Sequence, residues 1–271
     1  MAPALNLLGA GKVSRVLGRL LHTHGAFALQ QVLARSHQSA AGAVAFIGAG
    51  QAADHVGAMR AAEVWMLAVT DDQISPVCAT LAALLRPGDI VFHCSGAKSS
   101  AELEAARRAG ALVASVHPIR SFADPAQVAV SFGGTFCGIE GDPGALAVLV
   151  PAFEAIGARP VQIDAAAKTV YHAASVFAAN YLVTIMDAAL RAYQAAGIDE
   201  AVARQLAAPL AMETLENVLR LGPVAALTGP IARGDVQTVA RQQAALDAWD
   251  GATGQLYRAL ATATGALAAR H

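Results

Sequence analysis

The side chains best placed for chemistry are Lys168, His172 and Ser175. At about 100° per residue on a helix they share a stripe roughly 60° wide, and from Thr169 to Met186 the chain carries no Asp, Glu, Lys or Arg. An ammonium, an imidazole and a hydroxyl on an otherwise uncharged helix are costly to bury without partners, so the stripe is expected to face a cleft; the plain alternative is a Lys–His pair on a wetted edge. Either the amine or the imidazole, partly desolvated, is tuned toward a neutral pKa and becomes a proton donor. His172 is the favoured donor with Lys168 in support, and the reverse assignment is nearly as good. Asn180 lies some 80° from His172 around the helix and is read as a substrate contact or as an amide bonded in the core. Ser95 and His117, each closing a strand-like run, would line the substrate side with Ser175, although His117 before Pro118 reads equally well as structural.

These residues need elements to hold them. Leu5 to Leu21, LNLLGAGKVSRVLGRLL, reads as strand, tight turn and helix. Free backbone N–H groups at such a helix start, with the positive end of the helix dipole, suit a pyrophosphate, so Gly9, Ala10, Gly11, Lys12 and Val13 are the expected dinucleotide contacts. The pattern departs from G-x-G-x-x-G at Ser14, and Gly18, one turn on, is the glycine suited to close helix-to-sheet packing. Phe27 to Leu33 reads as a second strand, followed by Arg35-Ser36. An acid at this point bonds a ribose 2′-hydroxyl whereas an arginine accommodates a 2′-phosphate, so the pair favours NADP(H) over NAD(H), and the missing acid also argues against adenosyl-methionine. Val64 to Val69 is a continuous apolar run of strand length; Thr70 and Asp71 at its end are further expected cofactor contacts, while Asp72 reads as a helix cap.

Strand-like pieces continue at Ile90–His93, Leu112–Val116, Thr135–Glu140 and Pro160–Ile163, with helices near Ser100–Ala109 and Pro143–Ile156. This alternation predicts an α/β Rossmann-type, doubly wound, mostly parallel sheet over residues 1–164. IGAGQAA from Ile47 looks like a second fingerprint, but it follows an alanine-rich segment better read as helix. A Walker loop is excluded because Val13 separates Lys12 from Ser14 and Asn6 stands where its first glycine should be. Beyond Asp164 no strand signal survives, so residues 165–271 are predicted to form an all-α C-terminal domain. Its Leu221–Asp235 stretch is broken twice by Gly-Pro and holds Thr228, Arg233 and Asp235, with Thr238 just beyond, in a loop suited to closing over a ligand or docking on a partner subunit.

Composition narrows the class. With 55% hydrophobic and 14% charged residues the chain can bury a sizeable core, and a net charge of −1 gives no basic footprint for nucleic acid. Cys78, Cys94 and Cys137 are odd in number and widely spaced, which fits reduced thiols and a cytoplasmic address, as does the lack of a signal-peptide pattern. A metal site from His93, Cys94 and His117 is not expected, since adjacent strand residues point to opposite faces. Thr169–Met186 is long enough to be weighed as a membrane span. It carries His172, Ser175, Asn180 and two tyrosines through its middle, however, so a central helix buried in a helical domain or dimer is preferred.

Taken in order, GAGKVSRVL, HCSGA, SVHPIRSFADP, KTVYHAASVFAANYL and GPVAALTGPIARGD resemble the Rossmann-like oxidoreductases with a DUF2520 C-terminal domain, relatives of pyrroline-5-carboxylate reductase and of the 6-phosphogluconate and β-hydroxyacid dehydrogenases. The resemblance covers nearly the whole chain. It implies an NADP-binding domain followed by a helical substrate and dimerisation domain, hence a homodimer. It also implies that the lysine on the corresponding helix is a natural proton donor. The expected activity is hydride transfer between NADP(H) and a small carbonyl, hydroxyl or imine substrate in a cleft between the two domains. The alternative is a non-catalytic dinucleotide-binding or sensing protein on the same fold.

Overall fold

The computed structural model describes residues 1–270. In chain order the elements are β1 (Ala4–Leu8), α1 (Lys12–Thr23), β2 (Ala28–Leu33), α2 (His37–Ile47), β3 (Gln51–Ala53), β4 (Val64–Leu67), α3 (Ile74–Leu81), β5 (Ile90–His93), α4 (Glu104–Arg108), β6 (Leu112–Pro118), α5 (Pro125–Val130), β7 (Phe136–Gly141), α6 (Pro143–Ala155) and β8 (Arg159–Gln162). Helices α7 (Lys168–Ala178), α8 (Asn180–Ala195), α9 (Glu200–Leu221), α10 (Pro223–Ala226), α11 (Val236–Trp249) and α12 (Gly251–Ala268) complete the chain.

The strands form one eight-stranded sheet in the order β3-β2-β1-β4-β5-β6-β7-β8. Every pairing is parallel except β6 with β7, which places His117 opposite Gly138. The central strands β4 and β5 are buried at every position because both faces are covered, the condition under which a parallel sheet reads as an unbroken apolar run. One face packs Leu5, Leu7, Met66 and Phe92 against residues of α1, α2, α5 and α6; the other packs Leu8, Trp65, Leu67 and Val91 against α3 and α4. The strand order changes direction between β1 and β4, where open α/β sheets bind ligands at their carboxyl ends.

The chain divides into two compact units, the first running from Met1 to Ala179 and the second beginning at Asn180. The strands end at Gln162, but the change of unit comes later than the change in sequence character near Asp164, because α7 buries Lys168 among residues of the sheet. The second unit is wholly helical. Within it Arg191 bonds Asp187 at 2.9 Å and Asp250 at 2.8 Å and lies over the Trp249 ring, while Asp250 also caps α12.

Two expectations are corrected. Thr169–Met186 is not one continuous helix: it breaks at Ala179 (φ −126°, ψ −69°), and within the single chain no residue of α8 is buried, so the helical domain alone does not enclose it. Ala165–Ala195 is, by length and composition alone, apolar enough to cross a membrane, yet its first part is tied to the sheet by a buried ion pair. Asp72 does not cap the following helix. It accepts a 2.9 Å hydrogen bond from the Gln73 side chain, which holds its carboxyl below the usual range.

Candidate active site

The turn after β1 is shaped for close backbone approach. Gly9 has φ +116°, and a Cβ there would stand 2.2 Å from the Ala68 carbonyl oxygen, so only glycine fits. Gly11 is the N-cap of α1 and opens on space, with no atom within 4 Å of where a Cβ would stand. No side chain caps this helix and its first turn has no acid, so its N–H groups are left for an anion. Ser14 is fully buried and its Oγ donates to the Gly9 carbonyl at 2.6 Å; the residue that departs from the glycine pattern thus ties the turn to the helix. Gly18 serves packing, since a Cβ there would meet Leu7 at 2.7 Å and Ile47 at 2.9 Å. Lys12 reaches over the turn to donate to the Ala123 carbonyl at 2.7 Å.

Beyond β2, Ser36 caps α2, its Oγ accepting the Ser39 N–H at 3.2 Å. Arg35 beside it is exposed and makes no hydrogen bond or ion pair among the described residues. Thr70 and Asp71 are exposed after β4, on the same edge. The open glycine turn is the part of this edge whose free N–H groups could hold the pyrophosphate of a dinucleotide.

The loop after β5 is held by its own polar groups. His93 is fully buried; its Nδ1 accepts the Ser95 N–H at 3.2 Å and its Nε2 donates to the Ser99 carbonyl at 3.0 Å, and burial lowers its pKa to about 4. Ser95 turns inward: its Oγ accepts the N–H groups of Ala97 at 3.2 Å and Lys98 at 2.9 Å, so the hydroxyl read as a substrate contact is engaged in shaping the loop.

Lys168 is 1% exposed and does not face an open cleft. Its Nζ donates to Ser115 Oγ and to Glu140 Oε1, the latter at 3.3 Å. Glu140 is itself completed by Ser100, accepting its N–H at 2.8 Å and its hydroxyl at 2.7 Å. Burial pushes the Lys168 amine down and Glu140 opposes that push. The wetted-edge reading is therefore also set aside. This pair anchors the start of α7 on Ser115 and Glu140, which face each other across β6 and β7.

One turn on, α7 lays Tyr171 and His172 against the same edge. The Tyr171 hydroxyl is 3.0 Å from His117 Nδ1, and the His117 ring stands edge-on to both Tyr171 and His172, with centroids 5.6 Å apart in each case. Two glycines admit this cluster. A Cβ at Gly96 would meet His172 Nδ1 at 2.3 Å and His117 Nε2 at 2.8 Å, and one at Gly138 would meet the Tyr171 hydroxyl at 2.3 Å. His172 Nδ1 is buried against Gly96 without a hydrogen-bond partner. His117 falls to a pKa of about 4, chiefly through burial and then through His172 and Lys168, whereas burial raises Tyr171 to about 12. The nearby thiols of Cys94 and Cys137 are also pushed up to about 12 by burial, which disfavours the thiolate form.

The fold thus brings together Lys168, His172, His117 and Ser95. Ser175 is half-buried on the same side of α7, and Asn180 begins α8 in the second unit, exposed. Glu140, Tyr171, Gly96 and Gly138 escaped the sequence reading. Tyr171 alone carried a signal, since it lies three residues from Lys168 on the flank of the same helical stripe. Among the described residues no group of three His, Cys, Asp or Glu side chains could hold a metal.

Comparison with known proteins agrees with this architecture. Residues 4–118 match the model of a Rossmann-like domain and residues 135–264 match DUF2520, a domain of unknown function. No curated protein matches the chain. Among solved structures it resembles the "putative NADP oxidoreductase BF3122" of Bacteroides fragilis, with 21% identity over 97% of this chain and 98% of that one and a TM-score of 0.82. Protein TM1727 of Thermotoga maritima is 28% identical over 98% of both chains, with a TM-score of 0.72. A pyrroline-5-carboxylate reductase of Coxiella burnetii is 18% identical over 100% of this chain and 98% of that one, with a TM-score of 0.61.

Proposed function

We propose that this chain, a Rossmann-like domain followed by a DUF2520 domain, is an NADP(H)-dependent oxidoreductase acting on a small carbonyl, hydroxyl or imine substrate. The observation that carries the reading is convergence: the glycine turn after β1 and the imidazoles around Gly96 lie at the carboxyl ends of parallel strands of one sheet, within one compact unit. Gly9 to Val13 would receive the pyrophosphate and Arg35 the 2′-phosphate, with Ser36, Thr70 and Asp71 along the same edge. NADPH, when bound, supplies the hydride. The protein's own task is to hold the substrate and deliver a proton.

His172 is the donor in this reading, through Nε2, because its other ring nitrogen is packed against Gly96. Lys168, enclosed with Glu140 and Ser115, acts by fixing the helix that carries His172. The three cysteines are free thiols, which supports a cytoplasmic setting.

Calorimetry tests the cofactor: NADPH should bind clearly more tightly than NADH, and Arg35→Ala should remove most of the difference, whereas equal affinities in the wild type would end the assignment. His172→Gln tests the chemistry. In a screen of carbonyl and imine compounds followed by NADPH consumption, it should lower turnover about 100-fold or more with NADPH affinity intact. NADPH binding with no turnover of any compound in the wild type would instead favour a sensing protein.

A further inference from the structure

We infer that Glu140 is a positioning residue of the candidate site: from its buried place on β7 it holds the loop after β5 and the start of α7 against each other, and thereby sets how Gly96 stands against His117 and His172. The inference rests on the reductase reading and adds to it a residue that acts only through Ser100 and Lys168.

A carboxylate that is 4% exposed needs partners from the protein, and those of Glu140 come from two segments far apart in sequence. Oε1 accepts the Ser100 N–H at 2.8 Å and the Lys168 ammonium at 3.3 Å, while Oε2 accepts the Ser100 hydroxyl at 2.7 Å. Ser100 closes the loop that carries Gly96, and Lys168 lies one turn before His172 on α7. Ser115, paired with Glu140 across β6 and β7, completes the arrangement: its Oγ accepts from Lys168 and donates to the Ser95 carbonyl at 3.4 Å. The loop is therefore gripped at both ends, and Lys168 joins the two grips.

Little slack remains between them. A Cβ at Gly96 would stand 2.3 Å from His172 Nδ1 and 2.8 Å from His117 Nε2, so a shift of the loop relative to α7 must be passed on to one ring or the other. The charge of the carboxylate is needed as well as its reach. Burial pushes the Lys168 amine toward its neutral form and Glu140 is the main group opposing that push, so a glutamine in its place would keep Ser100 within reach while loosening the hold on Lys168.

Three variants of the full-length chain separate placement from stability. Ser100→Ala loosens the end of the loop and leaves the Lys168–Glu140 pair; Glu140→Gln weakens both holds; Asp89→Asn, which weakens a buried acid bonded to Arg86 at the opposite end of β5, is the control for lost stability alone. Without cofactor, NMR spectra should show the His117 and His172 ring resonances displaced in the first two variants and unmoved in the control, with faster amide exchange at residues 96–99. Where Glu140→Gln does not fold, Ser100→Ala decides. With NADPH, turnover of a carbonyl or imine compound should fall in kcat by up to about 100-fold while NADPH affinity is kept. Ring displacements no larger than in Asp89→Asn overturn the inference, as does an unchanged kcat in both site variants. Absence of NADPH-dependent turnover in the wild type counts against the reductase reading instead, and the ring spectra then decide whether Glu140 sets the placement.

Discussion

His93 shows what burial does to a single titratable group here. Both ring nitrogens are committed to the loop after β5, and burial outweighs the favourable charges of Glu140 and Asp71, so its pKa falls from the ordinary 6.5 to about 4. Between those values the unfolded chain binds a proton that the folded chain refuses. Stability therefore falls as pH drops from about 6.5 toward 4 and levels off below, by roughly 3 kcal/mol from this residue. His117 acts in the same direction. Urea unfolding across this pH range should show the loss, and His93→Gln should flatten it; an unchanged slope would refute the account. The same cost explains why Lys168 and Glu140 occur together: removing either leaves the other buried and unpaired.

At the scale of elements, the turn joining β1 to α1 has separable parts. Gly9→Ala must force a Cβ into the Ala68 carbonyl at a positive φ, and should cost more than the roughly 1–2 kcal/mol of left-handed strain alone. Ser14→Gly restores the familiar glycine spacing, yet it should lower stability by about 1 kcal/mol by removing the bond to the Gly9 carbonyl. Thermal denaturation of both variants checks this, and a stabilised Ser14→Gly would contradict it. These residues also mark how much was readable beforehand. Strands such as Ile90–His93 were legible because burial on both faces demands an unbroken apolar run. β3, with three residues, was too short to register, and the reversed direction of β7 was invisible because hydrophobicity carries no arrow. The break at Ala179 falls where no Gly or Pro announces it. In the site, helical spacing drew attention to Lys168 and His172. It could not reveal that the lysine meets Glu140 and Ser115, because those partners sit on other elements.

For the whole molecule, the outstanding feature is apolar surface. In the second unit Val183 is 70% exposed, Met212 67% and Leu219 78%. Such area is seldom left in water by a soluble monomer. We propose that a second copy of this chain covers it through the helical domain. Sedimentation equilibrium should give a dimer, and Val183→Asp should shift it toward monomer; a monomeric wild type, or recovery of the wild type in the membrane fraction, would reject the proposal. The antiparallel strand β7 has a wider effect. A parallel strand after β6 would require the chain to cross to the opposite edge, but the reversal lets β7 begin beside the end of β6. The connection it leaves, residues 119–135, buries Val128 and Phe132 in the same face of the sheet as α1 and is moored to the glycine turn where Lys12 meets Ala123. One strand's direction thus ties the turn after β1 to chain remote from it in sequence, so that a change in either is felt by the other.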